Sequence, residues 1–172
     1  LYQDALKAGM RMTRFVLVSL LGVVVTAHAA SYSWSPPSSG KTDWNTKGNW
    51  SDNSVPTISD DLTFAGTAKN FSPTLSAAGY AKSLTFSGGT YTIGTATFTL
   101  NLGSGGIVNN ASTTQTINGT GGTVMLQAGQ TWNAASGALS VSAAVNLNGY
   151  ALGVSGGYNT TLSGVCLLYT SD

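Results

Sequence analysis

The sequence predicts an all-β fold: a parallel β-helix of about three to four coils with a tryptophan-rich amino-terminal cap, preceded by a signal-peptide helix. Three observations predict it. Charged residues make up 8% of the 172-residue chain, against roughly 25% in ordinary soluble domains. Its 22 glycines stand among many Thr, Ser and Asn, which disfavour helix interiors because glycine loses backbone entropy there and short polar side chains compete for backbone groups. Short apolar runs then recur at a period of about 23 residues. The hydrophobic content of 42% offers enough apolar surface to offset the entropy of ordering, which separates this chain from disordered ones.

Residues 1–9 precede the first methionine and read as translated upstream sequence. From Met10, the bases Arg11 and Arg14 lead into an apolar run from Phe15 to Val25 and then Thr26-Ala27-His28-Ala29-Ala30. Basic, apolar and small-residue regions in that order predict a signal peptide over residues 10–29. The apolar run falls short of the roughly 20 residues that span a membrane. Cleavage after Ala29 would remove His28, the only histidine.

Residues 30–82 form the predicted cap segment. They hold Trp34, Trp44 and Trp50, all four prolines, and the charges Lys41, Asp43, Lys47, Asp52, Asp60, Asp61, Lys69 and Lys82. These eight charges cancel, and the punctuation by proline predicts short strands joined by fixed turns.

Residues 83–165 form the predicted repeat region. Ser83-Leu84-Thr85-Phe86, Thr97-Phe98-Thr99-Leu100-Asn101-Leu102, Ala138-Leu139-Ser140-Val141 and Val145-Asn146-Leu147 alternate apolar with small polar residues, the period of a strand buried on one face. Thr, Val, Ile and aromatic residues suit that conformation locally. Ile93, Ile117, Leu139 and Leu162 are spaced by 24, 22 and 23 residues; Leu100, Val124 and Leu147 by 24 and 23; Ile107, Trp132 and Val154 by 25 and 22. Three interleaved series with one period predict three short strands per coil, stacked so that inward residues form ladders at about 4.7–4.9 Å per coil. The scarcity of charge agrees, because like charges repeated in successive coils would face one another directly. An open stack edge invites pairing unless it is covered, a task suited to the aromatic segment before Ser83. Residues 166–172, Cys-Leu-Leu-Tyr-Thr-Ser-Asp, break this texture and read as a translated sequencing adapter, so the natural protein is expected to continue beyond Val165.

Trp34, Trp44, Gly48-Asn49-Trp50, Val55-Pro56, Asp60-Asp61, Phe64, Ser83-Leu84-Thr85-Phe86 and Gly129-Gln130-Thr131-Trp132-Asn133 together resemble the start of secreted bacterial proteins built from autotransporter-associated β-strand repeats. The resemblance covers most of residues 31–165. It implies a right-handed helix, export across the inner membrane, display at the cell surface or outer membrane or release outside the cell, and a membrane anchor or barrel further along.

The chain is short of reagents for catalysis. It has no glutamate, and between Lys82 and Asp172 its only ionisable side chains are Cys166 and four tyrosines. The net charge of +1 gives no footprint for nucleic acid. Ser39-Gly40-Lys41-Thr42 lacks the first glycine and approaching strand of a phosphate loop. Gly103-Ser104-Gly105-Gly106 lacks the third glycine and helix of a dinucleotide site, and reads as a coil-to-coil turn. No repeated Asp offers a calcium ladder. Five Asn-x-Ser/Thr sequons begin at Asn49, Asn70, Asn110, Asn118 and Asn159, marking surface positions at most.

Asp60 and Asp61 are the best candidates for acid–base work, as in glycoside cleavage, but adjacent strand residues point to opposite faces. Tyr32, Trp34, Trp44 and Trp50 could pack in the core or cap of the stack or offer a sugar platform. The expectation is therefore a non-catalytic structural or adhesive passenger segment, with no cofactor, metal or catalytic residue. Trp34, Trp44, Trp50, Asp60 and Asp61 are its cap or ligand-contact residues, and a host or environmental polysaccharide or surface protein its partner. The alternatives are the beginning of a β-helical polysaccharide lyase or hydrolase, and a tryptophan-based carbohydrate-binding module.

Overall fold

The computed structural model describes residues 29–167. The upstream segment 1–9, the signal peptide apart from Ala29, and the last residues of the 166–172 tail lie outside them. The described residues are all β apart from one 3-10 turn, Lys47–Asn49, and wind into a parallel β-solenoid of about five turns.

Each turn contributes strands to three faces. One face stacks β1 (Ser31–Ser33), β2 (Asp61–Phe64), the second half of β3 (Gly79–Phe86), the second half of β5 (Thr99–Asn109), β8 (Gln130–Ala134) and β11 (Leu152–Gly156). Another stacks the first halves of β3 and β5 with β7 (Thr123–Leu126), β10 (Ala144–Asn146) and β13 (Cys166–Leu167). The third stacks β4 (Thr92–Gly94), β6 (Gln115–Asn118), β9 (Leu139–Val141) and β12 (Thr160–Leu162), and parallel bridges through Thr74 and Asp43 extend it into the earlier turns.

Because side chains alternate along each strand, every second residue enters the interior and stacks on its counterpart one turn away. The longest ladder runs Tyr32, Leu62, Leu84, Ile107, Trp132, Val154, and all but Val154 are buried. Beside it Phe64 stacks on Phe86 at 5.1 Å with the rings 26° apart, and Asn109 takes the next place. The expected series Ile107, Trp132, Val154 is therefore one column. The other two are corrected by two residues. Ile93, Ile117 and Leu162 share their column with Val141, whereas Leu139 stacks on Gln115. Leu100 and Val124 stack on Val145, so Leu147 lies outside the column. A shift of two keeps a side chain on the same face, so a hydrophobic period cannot distinguish the two registers.

The stack also begins earlier than expected, which corrects the count of three to four coils. β1 and β2 sit in register with β3, although both belong to the segment expected to be a separate cap. Tyr32 and Leu62 are 30 residues apart, while Leu62 and Leu84 are 22 apart. The excursion after Trp44 in the first turn hides the period there. Its return segment lies on the outer edge of β1: Trp34 and Trp50 form an antiparallel bridge, Ser35 N–H donates to Asn49 C=O at 2.9 Å, and Ser51 N–H donates to Ser33 C=O at 3.0 Å.

Gly103–Gly106 is a corner within β5, where the chain passes from one face to the next and the register against β3 shifts between Ala81 and Ser83. Gly106 has φ +65°, and a Cβ there would meet Thr131 O at 2.1 Å. Both the left-handed backbone and the approach of the next turn require glycine.

Candidate functional site

The residues singled out by sequence converge on the first two turns. Trp34, Trp44 and Trp50 are buried in one aromatic cluster with Phe64. Trp50 meets Trp34 at 5.1 Å and 74°, and Trp44 at 5.0 Å and 77°, the edge-to-face arrangement that aromatic quadrupoles favour. The indole N–H of Trp34 donates to Asn70 C=O at 2.8 Å, and that of Trp50 to Trp44 C=O at 2.8 Å. The buried Nε1 of Trp44 has no hydrogen-bond partner. A platform for stacking sugars needs exposed, coplanar rings, and these three are neither, so the geometric ground for a carbohydrate-binding module at this place falls away.

Asp60 and Asp61 diverge, as alternation requires. Asp60 is buried and fastens backbone: Oδ1 accepts from Ala30 N–H at 3.0 Å, while Oδ2 accepts from Thr57 N–H and Thr57 Oγ1, both at 2.7 Å. Asp61 is half exposed, accepting from Ser83 Oγ at 2.5 Å and pairing with Lys82 Nζ at 3.0 Å. Burial pushes the Asp61 carboxyl up, but the hydrogen bonds from Ser83 and Lys82 and the lysine charge outweigh it and hold the group below its ordinary value. The two carboxylates share no hydrogen-bond partner through their side chains.

Asp43 acts likewise at the first turn of the third face. Its Oδ2 accepts from Thr46 Oγ1 at 2.6 Å, and its Oδ1 from Ser76 Oγ at 2.7 Å and Asn45 N–H at 3.0 Å. Desolvation raises this carboxyl, yet those three donors prevail and lower it overall. Lys69 donates to Pro37 C=O at 3.0 Å. Among the described residues no three His, Cys, Asp or Glu come together as a metal site.

Sequence reasoning missed a set of interior polar residues. Asn109 lies within the stack, donating to Thr113 C=O and Ala138 C=O, both at 2.9 Å, and accepting from Ala111 N–H at 3.0 Å. Gln115 accepts from Tyr91 N–H at 2.8 Å and donates to Gly89 C=O at 3.0 Å. Gln130 donates to Leu102 C=O at 3.1 Å and accepts from Trp132 Nε1 at 3.0 Å. Each bonds backbone groups of neighbouring segments, so burial leaves these side chains satisfied. Their inward phase, two residues from Ile107, Ile117 and Trp132, was the only sequence signal for them.

Two depressions on the surface of the described residues bear on function. One, of about 300 Å³, lies between Ser33–Pro37 and residues 65–69 with Lys69 at its rim. The other, of about 450 Å³, is a trough across four turns, each supplying one residue of the column Thr74, Gly94, Asn118, Ser142. This trough has no ionisable group in its lining and can offer hydroxyl and amide hydrogen bonds at the spacing of the turns. In comparisons with known proteins, no family model, no curated protein and no solved structure matches this chain.

Proposed function

We propose that this chain is a non-catalytic structural and adhesive passenger segment of an exported, autotransporter-like bacterial surface protein. In this reading the solenoid winds right-handed, the tryptophan-rich segment caps its amino-terminal end, and the stack holds binding surface away from the cell. The observation that carries the reading is the unbroken ladder from Tyr32 to Val154, with the outer edge of β1 occupied by residues 49–51. The bridge covers the first edge of one of the three faces, and the stack runs on from there toward the carboxy-terminal turns, as a displayed spacer would. The carboxylates support the same reading, since Asp43, Asp60 and Asp61 each hold the fold together rather than face a shared cleft. The neutral trough of Thr74, Asn118 and Ser142 supports an uncharged polysaccharide as the partner.

The test is export together with turnover. In a Gram-negative host the full chain should leave the cytoplasm, and deleting residues 10–29 should retain it there. The exported chain should release no reducing ends from plant or bacterial polysaccharides. Cytoplasmic retention of the intact chain, or a hydrolytic activity lost in Asp60→Ala or Asp61→Ala, would overturn the reading.

A further inference from the structure

Asp60 is the one fully buried carboxylate among the described residues, 3% exposed, and no cationic side chain there pairs with it. Lys82 stands beside it, donating its backbone N–H to Asp60 C=O at 2.7 Å, yet sends its ammonium to Asp61. Tyr32, Asp52 and Asp61, the other ionisable groups around it, bring no positive charge. A buried carboxylate has already lost its water, so it gains strongly from a cation set against it. What Asp60 does face is the start of the solenoid. Its Oδ2 is taken by Thr57 N–H and Thr57 Oγ1, but Oδ1 accepts only from Ala30 N–H, at 3.0 Å. Ala30 packs against the core and its C=O accepts from Asp61 N–H at 2.9 Å, whereas Ala29 is exposed. The boundary between exposed and packed chain thus falls on the Ala29–Ala30 bond, where the sequence places signal-peptide cleavage.

We infer that Asp60 is the receptor for the α-ammonium group of a chain cut at that bond, forming an ion pair that exists only after export. The inference rests on the reading of residues 10–29 as a signal peptide. Hydrolysis by the signal peptidase of the exporting host breaks the C–N bond between Ala29 and Ala30. Water gives its hydroxyl to the carbonyl carbon of Ala29 and its proton to the nitrogen of Ala30. The proton of the new carboxylic acid then passes through solvent to the amine, leaving a carboxylate and an ammonium. A neutral amide with one N–H so becomes a cation with three, at the place where Oδ1 has a lone pair to spare. Exposed Ala29 leaves with the signal peptide, and nothing in the stack has to move. The pair fastens Ala30, and with it β1, to the turn that leads into β2.

The full chain is expressed in a Gram-negative host, and the intact mass of the exported protein gives its first residue. Peptide mapping after brief treatment with an amine-reactive ester then compares the α-amine of Ala30 with the exposed ammonium of Lys47, in buffer and in urea, over a range of pH. The expected result is an exported chain that begins at Ala30. Its α-amine should titrate above the ordinary range of about 7.7–8.0. At neutral pH it should react at least about tenfold more slowly in buffer than in urea, because the paired amine keeps its proton. Asp60→Asn should abolish both effects. If that variant does not fold, the titration of the unmodified chain decides: burial without pairing lowers an amine's midpoint, and pairing raises it. In a chain that begins at Ala30, a midpoint at or below the ordinary range, or one that stays raised in a folded Asp60→Asn, overturns the ion pair and leaves the export reading standing. A chain that is retained, keeps residues 10–29 or begins elsewhere overturns the signal-peptide reading and the ion pair with it.

Discussion

Trp132 donates its indole N–H to Gln130 Oε1 at 3.0 Å within the interior of the stack, the two side chains standing two residues apart on the same strand. Period-two alternation sends both inward, so the largest side chain of this turn and a polar one share the core, and each depends on the other. Gln130 in turn donates to Leu102 C=O on the adjoining face.

Removing either partner should therefore have different consequences. Trp132→Ala empties the middle of the longest ladder and should cost about 3–5 kcal/mol. Gln130→Leu keeps the volume but leaves the indole N–H buried without an acceptor, a loss of about 1–3 kcal/mol. Urea unfolding followed by circular dichroism measures both. A cost below about 0.5 kcal/mol for Trp132→Ala is the value of a surface position and would contradict its place in the ladder.

The paired indoles of the first turn offer a controlled comparison. Trp50 Nε1 donates to Trp44 C=O, whereas Trp44 Nε1 has no partner. Trp50→Phe and Trp44→Phe remove the same ring volume, but only the first breaks a buried hydrogen bond. Trp50→Phe should be the more destabilising by about 1–3 kcal/mol. Equal unfolding midpoints would show that the hydrogen bond adds nothing there.

Acid should loosen the amino-terminal turns first. The carboxyls of Asp43 and Asp61 lie below their ordinary value of 3.8 when folded. Their contribution is therefore fully present above that value and is lost as pH falls below it through the folded-state values. The urea midpoint should stay level from about pH 7 to pH 5 and drop toward pH 3. Asp61→Asn should flatten part of that drop. The effect is modest, since the Lys82–Asp61 pair is about 40% exposed on each side and such pairs contribute about 1 kcal/mol at most. A midpoint that does not move on acidification would contradict the assignment.

The sequence by itself determined the class of fold. Short alternating runs, a recurring period, abundant glycine and scarce charge leave few ways to bury this chain other than stacking strands on strands, and Ile107, Trp132 and Val154 were legible as one column from their spacing. Also legible was the divergence of Asp60 and Asp61, because adjacent residues on a strand cannot face the same way.

Register and extent were decided by the tertiary structure. Leu139 and Val141 are equally apolar and on the same face, so only the pairing of β6 with β9 chooses Val141 as the partner of Ile117. The first two turns were hidden because the excursion from Trp44 to Asp60 stretches their spacing, and only strand pairing brings Tyr32 beneath Leu62. The buried roles of Asn109, Gln115 and Gln130 depend on backbone groups 26 to 29 residues away for their longest-range bonds. A hydrophobic pattern records which side of the local backbone is apolar. It carries no record of which distant carbonyl waits at a corner, and that is fixed only when one turn is laid upon the next.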